Sequence, residues 1–557
     1  MLTPKTSQPK PTSAFADLRT TLKTLAIILG IGTTSAFGVI LVQVCQRVDM
    51  RSIYLGLDGL RLPIALTLAS VGCIALLVWI YRPRWRTIGV VLGALVACGM
   101  ALKSLVRIES FYGNMVPRLA WRWAPSAEDK YVGYKNSVTL VARDVASDEI
   151  QIAKLVVNER DFPGFLGSRR DGILTGIRLE KNWTTHKPQE LWRHPVGLGW
   201  ASFAVVGNAA ITMEQRGDHE AVVCYNALSG VEVWSHEYPA RFVDEHGDGP
   251  RSTPTVANGN VYCLGATGVL TCLDGARGSL KWQQETLVKP NDENLLWGMS
   301  GCPLVCAGQV VVTPGGSAGR SIMAFDSESG KLLWSSGNDF AAYASPAMTE
   351  LAGMRQFISF NGSGLRGYDL QGRELWLHPW LTQGEKQRVN VAQPMVVSRP
   401  GANSRDAGYL LISSGYDVGT ALLEIKRDDE SWTVTEVWKS RQLKSKMSNF
   451  VVRGQYIFGL DNGILSCLSL QDGSRVWKQG RYGHGQILLV DDTLLIQSET
   501  GDIVLVEANS KVFRELARIE ALPGKSWNHA ALAGNILVVR NDREAAAYAL
   551  PLASNIH

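Results

Sequence analysis

The stretch Asp274-Gly-Ala-Arg-Gly278-Ser-Leu-Lys-Trp282 decides the fold: a short polar residue precedes a glycine, and a tryptophan follows four residues later. Such a turn, with glycine at its positive-φ position and a strand ending on a large aromatic residue, predicts a β-hairpin. Trp192 and Trp438 end similar strands without the glycine. Copies of Gly-x-x-x-Trp begin at Gly230, Gly278, Gly330, Gly372 and Gly473. This repetition predicts a repeat architecture.

The spacing of the tryptophans gives the size of one repeat. Successive tryptophans lie between 39 and 62 residues apart. Repeats of about this size are typical of four-stranded propeller blades. The predicted structural blade tryptophans are Trp192, Trp234, Trp282, Trp334, Trp376, Trp438 and Trp477.

A second motif gives the number of blades. Its second residue is always Ala, Ser, Gly or Asn, as expected where inner strands converge on a narrow axis. The four-residue segments predicted to open the blades begin at Trp200, Arg251, Ser300, Tyr343, Val391, Met447, His484 and Trp527. The last unit lacks a final Trp strand, and residues 190–195 are predicted to supply it and close the ring. We therefore predict an all-β, eight-bladed propeller over 190–557.

These residues resemble the PQQ-like (quinoprotein-type) propeller repeat, whose signature is Asp or Ala, then Ser/Thr-Gly, then Trp on the outer strand. The resemblance covers about 190–550. Within that family, Asp161-Phe-Pro-Gly-Phe-Leu-Gly, with Gly249-Pro-Arg-Ser-Thr-Pro254 and Cys272-Leu-Asp, is similar to a group of membrane-anchored, exported propeller proteins of unsettled activity.

The N-terminal part predicts a helical membrane anchor. Residues 25–44 and 62–81 contain no charge, and each stretch is long enough to cross a bilayer as a helix. Residues 88–106 are apolar apart from Lys103, which lies near the end of the stretch. The chain therefore has two to three predicted transmembrane helices, and residues 1–24 form its N-terminal tail.

The charge distribution orients this anchor. Residues 1–123 contain 14 Lys and Arg against four Asp and Glu, whereas 124–557 contain 42 against 47. Basic residues before the first span and between the second and third place the N-terminus in the cytoplasm. Residues 107–189, a juxtamembrane connecting segment, and the propeller are then extracytoplasmic, in the periplasm. The absence of a basic excess after residue 123 disfavours nucleic acid as a partner. Cys98 lies in a sequence that also has the form of a lipoprotein processing site.

The resemblance also implies a competing function, a PQQ-dependent alcohol or sugar dehydrogenase assisted by Ca²⁺. Larger members of that family are similar in having an adjacent Cys pair against the quinone, an Asp base and Glu, Asn or Asp calcium ligands. None of the nine cysteines here is adjacent to another. Asp244-Glu-His246-Gly-Asp248 has alternating oxygen ligands but lacks the distal Glu, so we interpret it as a solvated loop. We expect no cofactor and no metal, with PQQ and calcium as the alternative.

The channel mouth provides the candidate site. Aromatic rings with a charged anchor suit a flat, polar or anionic ligand or a peptide, while packing of the same rings between blades is the structural alternative. We expect Arg251→Ala to weaken capture with little change in melting temperature, and a large loss would indicate a structural residue. The candidate ligand- or partner-binding residues are Trp200, Arg251, Tyr343, His484 and Trp527.

Three functions follow from these features. The first is a membrane-tethered, extracytoplasmic and non-enzymatic scaffold for binding or assembly, because a related outer-membrane assembly lipoprotein uses this fold as a docking platform. The second is the PQQ-dependent dehydrogenase, and the third is a propeller that binds another small ligand at the mouth. Saturable quinone uptake with dye reduction would favour the second, and a co-purifying protein would favour the first.

Overall fold

The computed structural model describes a chain of two units, Met1–Ala124 and Pro125–His557. In the first unit, strand β1 (Val106–Phe111) pairs antiparallel with β2 (Pro117–Trp121). The described residues are 104–112, 116–144, 152, 154–287, 294–316, 319–382, 389–398 and 407–553.

The predicted anchor lies almost entirely outside the described residues. Residues 1–24, the spans 25–44 and 62–81, and all but the last three residues of 88–106 belong to that part of the chain, as does Cys98. Among the helices that the structure describes, none has both the length and the apolar character needed to cross a bilayer. The membrane anchor therefore stays a prediction.

The second unit begins with a capped helix, α1 (Ala127–Asp144). Ser126 Oγ accepts a hydrogen bond from the Asp129 N–H at 3.0 Å, and Asp129 Oδ2 accepts one from the Ser126 N–H at 2.8 Å. These reciprocal bonds satisfy donors that a helix start leaves open.

Helix α1 packs against the outer strands of the propeller. The ring of Tyr134 stacks on that of His194, with the centroids 4.9 Å apart. Lys135 Nζ lies 3.0 Å from Glu232 Oε1. The helix is thereby fixed across the junction of the last and first blades.

The described residues that follow form eight four-stranded sheets, one of which gains a fifth strand. Two strands precede the first complete blade, β3 (Ile173–Leu174) and β4 (Gln189–Pro195). Blade 1 comprises β5 (Ala204–Val206), β6 (Ala209–Arg216), β7 (His219–Asn226) and β8 (Glu232–Pro239). Blade 2 comprises β9 (Thr255–Ala257), β10 (Asn260–Leu264), β11 (Val269–Asp274) and β12 (Leu280–Glu285). Blade 3 comprises β13 (Leu304–Cys306), β14 (Gln309–Val312), β15 (Ile322–Asp326) and β16 (Leu332–Ser336).

The remaining blades continue the same antiparallel order. Blade 4 comprises β17 (Ala347–Leu351), β18 (Met354–Asn361), β19 (Gly364–Tyr368) and β20 (Glu374–Pro379). Blade 5 comprises β21 (Met395–Val397), β22 (Ala407–Ser414), β23 (Gly419–Asp428) and β24 (Ser431–Ser440). Blade 6 comprises β25 (Phe450–Arg453), β26 (Tyr456–Asp461), β27 (Ile464–Ser469) and β28 (Arg475–Arg481). Blade 7 comprises β29 (Gln486–Val490), β30 (Thr493–Gln497), β31 (Asp502–Glu507) and β32 (Glu515–Glu520). Blade 8 comprises β33 (Ala531–Ala533), β34 (Ile536–Arg540) and β35 (Glu544–Ala549), and its outer strand is β4.

Strand β4 closes the ring, as the sequence predicted for residues 190–195. Strand β4 pairs antiparallel with β35, and Trp192 lies opposite Ala547. The predicted all-β, eight-bladed propeller is therefore confirmed. Residues before 190 also belong to its core: Phe162, Leu179 and Trp183 are buried in the cluster between blades 7, 8 and 1.

The Gly-x-x-x-Trp motif joins neighbouring blades. Gly278 has φ +69°, and its open face receives the ring of Trp234 from the preceding blade. Trp234 Nε1 also donates to the Gly275 carbonyl of the same turn at 3.2 Å. Gly278 thus allows the positive φ that its own turn requires, and its lack of a Cβ lets the tryptophan ring of the previous blade pack against it. The same stacking joins Trp192 to Gly230, Trp282 to Gly330, Trp334 to Gly372 and Trp438 to Gly473. Trp376 and Trp477 instead donate from Nε1 to Gln356 Oε1 and the Asn509 carbonyl.

Candidate functional site

A partly enclosed cavity of about 180 Å³ lies on the propeller axis. The predicted opening segments converge there, although the inner strands begin only within or just after them. Seven of the eight opening segments line the cavity with their first residue: Trp200, Arg251, Ser300, Tyr343, Val391, Met447 and Trp527. Seven also line it with their third residue: Ser202, Thr253, Cys302, Ser345, Asn449, Gln486 and His529. The second residues are small and buried, and all but Asn528 are absent from the lining, as expected for extended backbone whose side chains alternate between the axis and the protein interior.

Two tryptophans from the first ring form one wall. The Trp200 and Trp527 rings lie 4.9 Å apart at 34°. Lys525 Nζ lies 4.8 Å from the first ring and 4.5 Å from the second, and donates to the His246 carbonyl. Trp527 Nε1 donates to Glu499 Oε1 at 3.0 Å. These cation–π contacts and hydrogen bonds hold the wall in one orientation.

A second aromatic wall adjoins the first, because the ring of His246 lies 6.1 Å from that of Trp527. The rings of Trp297 and Tyr343 lie 5.3 Å apart, and the ring of His246 meets Trp297 edge-on at 5.9 Å. Tyr343 Oη accepts a hydrogen bond from the Trp297 N–H at 3.3 Å, and burial raises the pKa of Tyr343 to about 12. A neutral phenol therefore faces the cavity at physiological pH.

Arg251 is committed to its own loop. Its guanidinium donates to the carbonyls of Gly247, at 2.9 Å, and Gly249, and stacks on Phe242 at 4.7 Å. Asp244 Oδ1 lies 3.5 Å away. Burial lowers the pKa of Arg251 to about 10. The side chain lines the cavity and at the same time fixes residues 242–249.

We now expect Arg251→Ala to lower the free energy of unfolding by about 1 to 3 kcal/mol, because the carbonyls of Gly247 and Gly249 lose their donor. This result would differ from the unchanged melting temperature expected from the sequence. Urea titration of the detergent-purified protein measures it. Arg241→Ala is the matched control, since its more exposed ion pairs contribute less than about 1 kcal/mol. Equal small losses in both variants would contradict a structural role.

The loop that was interpreted as solvated is so only in part: Val243 and Glu245 are exposed, but the two side chains between the aromatic wall and Arg251 are not. The side chains of Asp244 and His246 are only 8% and 12% exposed, and both residues line the cavity. Asp244 Oδ1 accepts the His246 backbone N–H at 2.8 Å, and its pKa is lowered by hydrogen bonds and by Arg251 against the effect of burial.

His484 is placed differently from the other predicted residues. It is not among the cavity-lining residues, and its backbone N–H donates to Glu499 Oε2 at 3.0 Å. Burial lowers the pKa of His484. The structure thus brings Trp200, Arg251, Tyr343 and Trp527 together at the cavity, and His484 is not among its lining residues.

A hydrogen-bonded polar ring lies below the aromatic walls. In it, the third residue of one opening segment donates from its backbone N–H to the side chain of the third residue in the opening segment of the next blade. The observed bonds are Ser202 N–H to Thr253 Oγ1 (3.2 Å), Thr253 N–H to Cys302 Sγ (3.2 Å), Cys302 N–H to Ser345 Oγ (2.9 Å) and Gln393 N–H to Asn449 Oδ1 (2.8 Å). Each short polar side chain therefore satisfies backbone that the converging blades leave unpaired.

The last member of this ring, His529, has a defined tautomer. Asn449 Oδ1 accepts from Gln393, so Asn449 Nδ2 is the group that faces His529 Nε2, at 3.2 Å. Nε2 accepts this bond, and the proton of the neutral ring is on Nδ1. Burial lowers the pKa of His529 from 6.5 to about 3, which keeps the imidazole neutral.

This histidine makes stability depend on pH. As pH falls below about 6.5, the unfolded chain gains a proton at residue 529 that the native chain refuses until about pH 3. The free energy of unfolding is expected to fall by up to about 1.4 kcal/mol per pH unit in that window, and this contribution is constant above it. Urea titrations of wild type and His529→Asn at pH 7, 6 and 5 measure the difference. Parallel pH curves for the two proteins would contradict the assignment.

Residues 161–172, which contain the Asp161–Gly167 motif, close the inner end of the cavity. Phe162 exchanges backbone hydrogen bonds of 2.8 and 2.7 Å with Val205 of β5. The Phe165 ring lines the cavity and meets His529 edge-on, at a centroid distance of 5.0 Å. The chain then continues into β3, which pairs in parallel with β29 of blade 7.

Arg170 fastens this segment at the inner end of the cavity. Its guanidinium donates to the carbonyls of Cys302 (3.2 Å) and Pro303 (3.1 Å), and its own carbonyl accepts from Gln393 Nε2 at 2.8 Å. These partners belong to connections entering blades 3 and 5. The segment 161–172 therefore crosses the axis, and the cavity is blind at this end.

Sequence reasoning missed a second aromatic and cationic pair. Tyr416 and Lys446 both line the cavity, with Lys446 Nζ 5.3 Å from the centre of the tyrosine ring. Tyr416 has φ +54° at the tip of the β22–β23 hairpin, where a bulky residue is rare. No repeat position marks this hairpin tip. The segment Tyr416-Asp417-Val418 between Gly415 and Gly419 was the available signal.

The cavity does not fit a calcium-assisted quinone site. Asp244 supplies the carboxylate among its lining residues, and His246 and Arg251 already engage it. Cys302 is the lining cysteine and has no adjacent partner. Within the described ranges, no three His, Cys, Asp or Glu side chains converge on a metal position.

Comparison with known proteins agrees with this architecture. A family model described as "Outer membrane protein assembly factor BamB" matches residues 186–296 and 218–479, which together exceed half of the chain. No curated protein matches the chain.

Solved structures share the propeller fold. Quinohemoprotein alcohol dehydrogenase from Comamonas testosteroni is 10% identical, with a TM-score of 0.51 over 72% of this chain and 82% of that one. Quinohemoprotein alcohol dehydrogenase ADHIIG from Pseudomonas putida HK5 is 12% identical, with a TM-score of 0.50 over 72% and 81%. BamB from Moraxella catarrhalis is 14% identical, with a TM-score of 0.45 over 65% and 100%. At these identities the likeness to the two dehydrogenases shows the fold alone.

Proposed function

Because this chain belongs to the family of outer membrane protein assembly factor BamB, we propose that it is a membrane-tethered, extracytoplasmic scaffold that docks another protein at the mouth of its propeller. Membership of this family is the reason to expect a protein partner. The mouth of the propeller is the surface on which we expect that partner to bind.

The observation that carries the proposal is an arc of exposed apolar side chains beside the cavity. Four consecutive connections between blades 1 and 5 each present one: Val243 (66% exposed), Leu296 (65%), Phe340 (57%) and Leu381 (71%). The same connections carry His246, Trp297, Tyr343 and Val389 into the cavity wall. In the described part of the other four connections, no large apolar side chain is exposed.

Such a concentration of apolar surface indicates an interaction site. Isolated exposed hydrophobic residues are normal, whereas a group around a pocket marks a place where a partner excludes water. Large aromatic anchors in a partly enclosed pocket are also the usual centre of a protein interface. In this proposal the arc and the aromatic walls act together as the docking surface.

Photo-crosslinking tests the proposal. A photoreactive amino acid placed at residue 340 of the full chain, in its native membrane, is expected to give one discrete adduct with a partner protein. Residue 333 is the matched control, because Leu333 on β16 of the same blade is similarly exposed but lies on the outer strand. Equal labelling from both positions, or no adduct from residue 340, would contradict docking at the mouth.

A further inference from the structure

We propose that the inner end of the cavity binds a small, flat, neutral molecule that carries a primary carboxamide. Gln486, Asn528 and His529 hold the amide, and the ring to which it is attached packs against the aromatic walls. This inference goes beyond protein docking, because it concerns the cavity and not the arc of exposed apolar side chains outside it.

The starting observation is a set of buried polar atoms that make no hydrogen bond. Gln486, Asn528 and His529 line the cavity and are 3%, 2% and 8% exposed. Among the described residues, no partner meets Gln486 Oε1, Asn528 Oδ1 or His529 Nδ1. Native structures pair nearly all buried polar atoms, because an unpaired one destabilises the fold. Several such atoms around one cavity therefore indicate a bound group.

The two amide side chains are fixed so that each presents an oxygen. Gln486 Nε2 donates to the carbonyls of Met447, at 2.9 Å, and Trp527, at 2.8 Å. Asn528 Nδ2 donates to the Ala201 carbonyl at 2.8 Å. Both nitrogens are therefore engaged with backbone carbonyls, and the remaining oxygens can only accept.

His529 presents the complementary group. Its Nε2 accepts from Asn449 Nδ2, so the proton of the neutral ring is on Nδ1. The ring of Phe165 lies beside it and closes this end of the cavity. The three unpaired atoms are thus one donor and two acceptors, and each belongs to an uncharged side chain.

A primary carboxamide has the matching set of atoms. Its oxygen accepts from the His529 Nδ1–H, and its two N–H groups donate to Gln486 Oε1 and Asn528 Oδ1. A hydroxyl has one donor and leaves one of the oxygens unpaired, and a carboxylate has no donor. A water molecule has two donors, but it needs only about 10 to 15 Å³ of a cavity that measures about 180 Å³. The cavity therefore has room for a larger body attached to the amide.

The volume and the walls indicate what that body is. An apolar cavity of about 150 Å³ accepts a benzene ring. The cavity here is slightly larger, and Trp200, Trp297, Tyr343 and Trp527 line it above the polar ring. Aromatic side chains favour a planar ring that stacks on them or meets them edge-on. An asparagine or glutamine side chain of a partner protein carries the same amide but no ring, so we infer a small aromatic amide.

Ligand-observed NMR titration of the full-length, detergent-purified protein tests the inference, with protein-free micelles as the blank. Benzamide is the probe, and acetophenone is its matched analogue, because a methyl group replaces the NH₂ while the carbonyl stays. We expect benzamide to bind saturably and acetophenone at least about tenfold more weakly, since it leaves Gln486 Oε1 and Asn528 Oδ1 unpaired. Propionamide has the amide without the ring and should also bind at least about tenfold more weakly than benzamide.

Two glutamine variants assign the effect to the inner end of the cavity. Gln486→Met removes one of the two acceptors and should reduce a tenfold preference for benzamide over acetophenone to about threefold. Gln393→Met is the matched control and should leave the preference unchanged. Gln393 also occupies the third position of its opening segment and has an unpaired Oε1, but it is not among the lining residues. If either variant fails to fold, the comparison of the three probes on the wild-type protein still decides.

Four results would overturn the inference. If benzamide does not saturate, or acetophenone binds equally well, no carboxamide is recognised and water is the partner of these atoms. If propionamide binds as tightly as benzamide, a side-chain amide is the better ligand and the ring is wrong. If Gln393→Met changes the preference as much as Gln486→Met, the amide binds elsewhere. Docking of a protein at the arc is tested separately, by the crosslink from residue 340.

Discussion

Replacing Arg540 with methionine is expected to lower the free energy of unfolding by about 3 to 5 kcal/mol, because a fully buried guanidinium holds the ring closed. Arg540 ends β34 of blade 8, and its NH1 donates to Thr212 Oγ1 and the Met213 carbonyl in β6 of blade 1, both at 2.9 Å. Its NH2 donates to the carbonyls of Gly197 (3.0 Å) and Gly199 (3.2 Å), in the connection that leaves β4. The substitution leaves these buried acceptors without their donors.

Urea titration of the detergent-purified protein, followed by near-ultraviolet circular dichroism, measures the effect. Arg540→Lys should also destabilise substantially, since a lysine cannot reproduce the planar fork that reaches both blades. Arg514→Met is the surface control: Arg514 is 63% exposed and pairs with Glu507, and we expect a change below about 1 kcal/mol. A loss in Arg540→Met no larger than in this control would show that closure depends on strand pairing alone.

Replacing Gly278 with alanine is expected to cost about 2 to 4 kcal/mol. Gly278 has φ +69°, which an alanine adopts only with strain, and the added Cβ would overlap the Trp234 ring. Gly207→Ala separates the two contributions, because Gly207 has φ +55° with no atom within 4 Å of the added Cβ. We expect about 1 kcal/mol for this control.

The difference between the two variants gives the energy of the contact between blades 1 and 2. Thermal unfolding monitored by tryptophan fluorescence provides an independent measurement, because the displaced Trp234 is buried in the native protein. Equal losses in Gly278→Ala and Gly207→Ala would show that the backbone conformation, and not the seat for Trp234, explains the glycine at residue 278.

The family resemblance and the number of blades were readable from the sequence because both depend on local, repeated chemistry. A glycine turn such as that at Gly278 needs positive φ wherever it occurs, and Trp282 marks the outer strand at a fixed distance from it. The closing strand at 190–195 was also predictable, since a unit that lacks its outer strand requires one from elsewhere. The second partner of each motif glycine, the tryptophan of the preceding blade, was not predicted.

The candidate site was only partly readable for a corresponding reason. Trp200 and Trp527 occupy equivalent repeat positions, so the ring at the mouth followed from the alignment. His484 occupies the same position yet lies outside the cavity wall, and its backbone bonds Glu499. Arg251 was expected to be available to a ligand, but its donors are directed to carbonyls of its own loop.

The sequence by itself determined the all-β propeller, its eight blades, its family and the repeat positions that surround the axis, because periodic local rules specify all of these. Only the tertiary structure decided that segment 161–172 closes the axis, that Tyr416 and Lys446 join the mouth, and that Arg540 fastens blade 8 to blade 1. Those contacts join residues that are separated by tens to hundreds of positions and belong to no repeat. They are fixed by the way blades pack around a common axis, and hydrophobic burial selects that packing for the whole ring rather than for any one unit.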